Sequence, residues 1–171
     1  DAPVSRYLPN LRAPARDVPV RNLLDHSSGI ENYLELPDFP YDKPFNLSRE
    51  QMTRFFDAQP LRAATGERFS YSNSNTYLLG LIIEATSGQS YDQYVAQNVF
   101  APLAMTHTDF AADAAGEADR ALGYNSRSSK FVRARGYDWL VPFSAGAAVS
   151  NTTDLTRFAD ALISPKLAIA V

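Results

Sequence analysis

The residues best suited to chemistry lie together in one short polar run, Tyr71-Ser72-Asn73-Ser74-Asn75. A glycine turn precedes this run, and an apolar segment that predicts a buried helix follows it. A tyrosine hydroxyl in such a place can move a proton when nearby cations favour its phenolate, and an asparagine can bind a substrate amide through both donor and acceptor. Tyr71 is therefore the candidate catalytic residue and Asn73 the candidate substrate-binding residue. The competing interpretation is structural, because serine and asparagine before a helix are ordinary N-caps.

The two histidines, His26 and His107, give weaker indications of chemistry. His26 precedes Ser27 and Ser28, which suggests a serine–histidine pair, but catalytic triads are assembled from distant segments. The favoured interpretation is a hydrogen-bonding cluster at the end of a helix. His107 has no recognisable partner in the sequence and is expected to be structural.

Composition excludes several classes of protein. The 171 residues contain no cysteine, which excludes disulfides, cysteine nucleophiles and zinc–thiolate sites. The 16 basic and 19 acidic residues are mixed along the chain, so we expect no nucleic-acid partner. The longest apolar run, 77–83, is too short for the ~20 residues that cross a bilayer. Nucleotide-binding glycine motifs and metal-binding histidine motifs do not occur, and we expect neither a cofactor nor a metal.

Helical patterns dominate the segments that must position the polar run. Capping residues, glycine stops and apolar spacing predict five helices. They span 20–26, 48 to about 59, 75–87, 90 to about 99, and the residues after 151. The second and fourth begin with capping boxes at 48–51 and 90–93. We expect Gly29 and Gly88 to end the first and third of these helices. The last helix carries Leu155, Phe158, Ala159 and Leu162 on one face.

Few segments favour strands. A short hairpin is predicted from 121–124 and 130–132, a surface linker over 111–118, and extended or turning surface chain over the proline-rich residues 1–19. The expected fold class is mainly α with one or two short strands, in a single unit spanning 1–171.

Five segments, taken in order, resemble a known family. They are residues 1–9 (DAPVSRYLP), 20–30 (VRNLLDHSSGI), 66–80 (GERFSYSNSNTYLLG), 100–108 (FAPLAMTHT) and 144–155 (SAGAAVSNTTDL). Together they resemble the serine β-lactamase and penicillin-binding-protein superfamily, in its class C β-lactamase, D-aminopeptidase and esterase branch. The resemblance implies the helical subdomain of an α+β fold. It also implies that Tyr71 and Asn73 form the family's Tyr-x-Asn motif, with Tyr71 in proton transfer and Asn73 holding the substrate.

Two further motifs of that family do not occur in this sequence. The nucleophile of a Ser-x-x-Lys motif is missing, since the spacing from Ser126 to Lys130 is one residue too long, and no Lys-Thr-Gly or His-x-Gly occurs. The resemblance therefore implies an interior portion of a longer enzyme, which by itself is inert and lacks the flanking sheet segments. Smaller departures are Thr65 for the usual proline, Ala104 for a usual glycine and Ala147 in a Gly-Gly pair.

The resemblance also implies partners and a location for the parent protein. The expected substrate is a small molecule or a peptidoglycan-like compound, namely a β-lactam, a D-amino-acid peptide or an ester. The parent is expected to be periplasmic or secreted. One alternative is a non-catalytic binding or regulatory module derived from the family. Another is a folding unit only, whose exposed core-facing surface would form a homodimer.

Overall fold

The computed structural model describes residues 1–40, 47–110, 121–127, 130–133 and 141–164. Within these residues the helices are α1 (Val20–Leu24), α2 (Arg49–Thr53), α3 (Asn73–Ser87), α4 (Tyr91–Val95) and α5 (Thr152–Ile163). Strands β1 (Tyr124–Arg127) and β2 (Lys130–Arg133) form an antiparallel hairpin in which Tyr124 lies opposite Arg133. The mainly helical fold class is confirmed, as is the hairpin, although β1 begins later than expected.

Helix α3 is the central element and begins two residues earlier than predicted. Ser72 is its N-cap, with an extended backbone and a side-chain oxygen that accepts from the Ser74 N–H. Asn73 and Ser74 therefore belong to the first helical turn. At the other end Gly88 adopts φ 70°, which confirms the predicted glycine stop.

The two predicted capping boxes have different outcomes. At α2 the Ser48 and Gln51 side chains each accept from the other residue's backbone N–H, which confirms the first box, but the helix ends at Thr53 rather than near 59. The second box is wrong, because the Ser90 side chain makes no cap. The Tyr91 N–H donates instead to a carboxylate oxygen of Glu84 at 3.0 Å, so a neighbouring helix satisfies this donor. Helix α4 then continues as a π-helical turn at Ala96–Phe100.

The proline-rich N-terminal segment, predicted to be surface chain, contributes buried side chains to the core. The Val4 N–H donates to the Val18 carbonyl at 2.9 Å and draws the two ends of the segment together. Prolines remove backbone donors but do not prevent the side chains between them from burying. Those that do so are Val4, Leu11, Ala15 and Val18.

An aromatic cluster forms the core beneath α3. Tyr77 contacts the rings of Tyr33, Phe56 and Phe143 with centroid separations of 5.9, 6.2 and 4.9 Å, all near perpendicular. Such edge-to-face pairs stabilise beyond the area they bury. The Tyr33 hydroxyl donates to the Val141 carbonyl at 2.8 Å, so its buried polar end is satisfied. Burial raises the pKa of Tyr77, which keeps this phenol neutral within the core.

Three described residues other than glycine have a positive φ, namely His26, Ala104 and Phe143, and the first two bear on the sequence predictions. His26 has φ 56° immediately after α1, so the chain turns there before it reaches the predicted Gly29, which itself has φ 76°. Ala104 has φ 54°, a conformation that favours glycine. This conformation explains why the resembled motif has glycine where this chain has Ala104.

Helix α5 begins as predicted and buries Ala161, but several of its large apolar side chains remain exposed. The Asn151 side chain accepts from the Asp154 N–H at 2.8 Å and caps the helix. Leu155 is 55% exposed and Leu162 is 64% exposed.

The linker predicted over 111–118 lies outside the described residues. No helix in the described ranges is long and apolar enough to cross a membrane.

Gly80 allows another part of the chain to approach α3 closely. A Cβ built there would lie 2.2 Å from Ser144 Oγ and 2.8 Å from the Phe143 ring, in the 3-10 turn Phe143–Ala145. Helix propensity alone predicts that Gly80→Ala stabilises the protein by about 1 kcal/mol. We expect the opposite, a loss of about 1–3 kcal/mol in the free energy of unfolding, because this contact has no room for a methyl group. Urea unfolding measures the difference.

A double-mutant cycle supplies the control. Ser144→Gly removes the side-chain atoms nearest to a methyl group at position 80. The Gly80→Ala change should therefore lower the free energy of unfolding less in the Ser144→Gly background than in the parent protein. A Gly80→Ala variant more stable than the parent would contradict the packing described here.

Candidate active site

The side chains of Tyr71 and Asn73 meet at the N-terminus of α3. The Tyr71 hydroxyl donates to Asn73 Oδ1 at 3.2 Å. Tyr71 is 52% exposed and Asn73 is half-buried, and the hydrogen bond between them is exposed. The structure thus brings together the two residues singled out in the sequence, while their catalytic and binding roles stay predictions.

Asn32 holds the Asn73 amide from the side away from Tyr71. Its Oδ1 accepts from Asn73 Nδ2 at 3.2 Å and from the Asn73 backbone N–H at 3.4 Å. Because Asn73 Nδ2 is directed to Asn32, Asn73 Oδ1 is left to accept from Tyr71. Asn32 is buried, and sequence reasoning missed it because nothing in its neighbourhood distinguishes it from an ordinary loop asparagine.

Charges behind Asn32 orient its own amide. Asn32 Nδ2 donates to Glu35 Oε1 at 2.9 Å, and Arg62 forms ion pairs with both Glu35 and Glu31. The hydrogen bond from Asn32, and after it the Arg62 guanidinium, hold the pKa of Glu35 below its usual range. An ionised Glu35 only accepts, so the amide nitrogen of Asn32 faces it and the amide oxygen faces α3.

The remaining polar residues of the run are structural. Ser74 Oγ donates to the Glu31 carbonyl at 2.5 Å and accepts from the Tyr33 N–H at 3.1 Å. Asn75 Oδ1 accepts from Ser28 Oγ at 2.7 Å, and both residues are fully buried. These contacts join the helix start to the loop at 28–33. The capping interpretation is therefore correct for Ser72, which is the N-cap, whereas Ser74 and Asn75 bind the loop instead.

The His26 cluster is not a serine–histidine pair. Ser27 Oγ donates to Asp25 Oδ1 at 2.5 Å, and Ser28 Oγ donates to Asn75. The Ser27 hydroxyl holds the pKa of Asp25 below its usual range. His26 Nδ1 instead lies 3.4 Å from the Ser72 nitrogen and 3.2 Å from Asn75 Nδ2. The expected helix-end hydrogen-bonding cluster is confirmed.

His107 is exposed, and its role in the fold comes through its backbone. The His107 N–H donates to Asp154 Oδ2 at 2.7 Å, beside hydrogen bonds to Asp154 from Thr108 and Arg157. Burial alone would raise the pKa of Asp154, but these three donors hold it below its usual range. The described residues contain no group of histidine, cysteine or acidic side chains that could hold a metal ion.

Replacing Asn32 tests whether it supports the site. We expect Asn32→Ala to lower the free energy of unfolding by about 1–3 kcal/mol, because the half-buried Asn73 amide and the backbone N–H groups of Asn73 and Leu34 lose the acceptor that the buried Asn32 supplies. Urea unfolding measures the loss, and the side-chain amide signals of Asn73 in NMR spectra should broaden or move. Asn98→Ala is the matched control, since Asn98 is exposed and donates only to its own helix at Tyr94. Equal losses in the two variants would contradict this role.

Comparison with known proteins identifies relatives of the whole chain. The chain is 30% identical over 165 residues to PbpX of Bacillus subtilis, whose name describes a penicillin-binding protein. The aligned region covers 96% of this chain but 40% of PbpX. Among solved structures, a D-stereospecific amidohydrolase from Streptomyces superposes with a TM-score of 0.85 at 28% identity, covering 98% of this chain and 54% of that one. An octameric penicillin-binding protein homologue from Pyrococcus abyssi superposes with a TM-score of 0.73 at 30% identity, covering 95% and 39%.

The chain thus spans about half or less of the length of these relatives. The family model described as Beta-lactamase matches residues 1–170, almost the entire sequence. The order of the five motif segments, the helical fold and this match agree, and the chain belongs to the Beta-lactamase family.

Proposed function

We propose that this chain contributes the Tyr71–Asn73 part of the active site of a serine hydrolase whose nucleophile lies outside the 171 residues. The observation that carries the proposal is the exposed Tyr71 hydroxyl, hydrogen-bonded to an Asn73 amide that Asn32 holds from behind. The sequence contains no Ser-x-x-Lys, and the chain spans 40% of PbpX and 54% of the amidohydrolase. Both facts are consistent with a nucleophile on another part of a longer protein.

The proposed reaction is acyl transfer through a covalent intermediate. A serine oxygen bonds to the substrate carbonyl carbon, and the bond from that carbon to the leaving nitrogen or oxygen breaks. Tyr71 takes the serine proton and passes it to the leaving atom. Asn73 binds the substrate amide or carbonyl. Water then attacks the acyl carbon, the bond from that carbon to the serine oxygen breaks, and one proton of the water passes to the serine as the acid is released. The D-stereospecific relative makes a D-amino-acid amide the first substrate to test, beside a β-lactam and an ester.

Activity assays on two forms of the protein test this function. The complete open reading frame that contains the chain should be acylated by a fluorescent penicillin or hydrolyse a D-amino-acid amide, a chromogenic cephalosporin or a p-nitrophenyl ester. In that protein Tyr71→Phe should lower kcat/KM by about 10²-fold or more, because it removes a proton-transfer group. Tyr124→Phe is the control, since Tyr124 is similarly exposed and lies on the hairpin.

The chain of 171 residues on its own should be inert towards the same substrates. Turnover by this chain above the level of its Tyr71→Phe variant would contradict the proposed division of the site. A complete protein that folds but is neither acylated nor active would favour the alternative, a non-catalytic binding or regulatory module.

We also propose that the isolated chain self-associates through its exposed apolar faces. Leu155, Leu162 and Ile163 on α5 are 55%, 64% and 87% exposed, and one homologue of similar fold is octameric. Contiguous exposed apolar surface of this kind favours association. Light scattering should show a dimer that Leu162→Glu converts to a monomer, while Thr156→Glu on the same helix, with the same added charge, leaves it intact. A monomeric chain at high concentration would exclude self-association.

Export of the parent protein stays a prediction from the resemblance.

A further inference from the structure

His26 contacts the chain on both sides of Tyr71. Its carbonyl accepts from the Ser70 N–H at 2.7 Å, and its Nδ1 lies 3.4 Å from the Ser72 nitrogen. The left-handed backbone at His26, φ 56°, lets one residue present its carbonyl and its ring to the same segment. The main chain before and after Tyr71 is therefore held by a single residue that lies more than forty positions away in the sequence.

The His26 ring also lies against the Tyr71 ring. The two centroids are 4.6 Å apart with an interplanar angle of 38°, and the Phe69 ring meets the other part of the imidazole edge-on at 5.9 Å. Aromatic contacts at these separations have preferred geometries, so the imidazole restricts where the Tyr71 ring can lie. Tyr71 is half exposed, so this ring contact and the hydrogen bond from its hydroxyl to Asn73 are the contacts that limit its side chain among the described residues.

The hydrogen bond from the Ser72 backbone indicates which ring nitrogen of His26 carries the proton, and the Asn75 contact agrees with it. The Ser72 backbone N–H can only donate, so Nδ1 must accept. Asn75 gives the same result, because its Oδ1 accepts from Ser28 and its Nδ2 is then the atom that faces Nδ1 at 3.2 Å. The imidazole is thus neutral, with its proton on Nε2.

We propose that His26, as the neutral Nε2-protonated tautomer, is the positioning residue for Tyr71. It holds the Tyr71 ring through the tilted ring contact and holds the adjoining backbone through its carbonyl and Nδ1. Its effect on catalysis rests on the proposed function of Tyr71, whereas its effect on the position of Tyr71 does not. His26 itself touches no reacting atom in this assignment.

NMR spectroscopy of the 171-residue chain tests the positioning directly. Long-range ¹H–¹⁵N correlations of His26 should show an unprotonated Nδ1 and a protonated Nε2. Three-bond couplings should show one dominant χ1 rotamer for Tyr71. In His26→Ala the rotamers should average, while in His107→Ala, which changes the other and exposed histidine, they should not.

His26→Asn separates the two parts of the role. Asparagine tolerates the left-handed backbone and offers an amide oxygen near the place of Nδ1, but it has no aromatic ring. This variant should stay folded and keep the Ser72 N–H hydrogen-bonded, as hydrogen exchange reports, yet lose the single Tyr71 rotamer. It also keeps the test decisive if His26→Ala does not fold.

Kinetic measurements on the full-length protein test whether the position of Tyr71 affects catalysis. His26→Asn should lower kcat by up to about 10²-fold with a much smaller change in KM, because a misplaced proton-transfer group loses rate rather than binding. A protonated Nδ1, or an unchanged Tyr71 rotamer in His26→Asn, would overturn the positioning role whatever the activity. If instead Tyr71→Phe leaves kcat/KM unchanged while the NMR results hold, the proposed function fails and the positioning of Tyr71 stands.

Discussion

The first turn of a helix has backbone N–H groups with no carbonyl partner inside the helix, and at α3 this requirement organises the surrounding structure. The Asn73 N–H is satisfied by the side chain of Asn32, and the Ser74 N–H by Ser72. Because Asn32 comes from a loop 41 residues earlier, satisfying the helix start also fixes that loop against it. Tyr71 lies at this junction, one residue before the N-cap.

The rest of α3 supplies the rigidity that such a junction needs. Tyr77 places the helix on a cluster of perpendicular aromatic rings, and Gly80 lets the 3-10 turn Phe143–Ala145 approach closely. Ser144 Oγ donates to the Thr76 carbonyl at 2.8 Å, so this contact is polar as well as apolar. A site on the first turn of a well-packed helix is held more accurately than one on a free loop.

The polar groups at the helix start divide into two layers. Tyr71 and the Oδ1 of Asn73 form the outer layer. The inner layer is buried and hydrogen-bonded to backbone or to neighbouring side chains, and it consists of Ser28, Asn32, Ser74 and Asn75. A buried polar group without a partner is costly, so the inner layer is strongly constrained to one arrangement. The outer pair inherits its orientation from that arrangement, since the Asn73 amide can direct its oxygen to Tyr71 only while its nitrogen is held by Asn32.

Local features were predictable from the sequence because their causes lie within a few residues. The Ser48 capping box, the Asn151 cap and the Gly88 stop depend on side chains near the helix ends they control, and Tyr71 and Asn73 were found from their place before a buried helix. Only the tertiary structure decided that Glu84 satisfies the start of α4, that His26 rather than Gly29 turns the chain after α1, and that Asn32 holds Asn73. For Glu84 and Asn32 the reason is the same. Each side chain accepts from a backbone N–H at the start of a helix to which it does not belong, and only the folded packing brings donor and acceptor together.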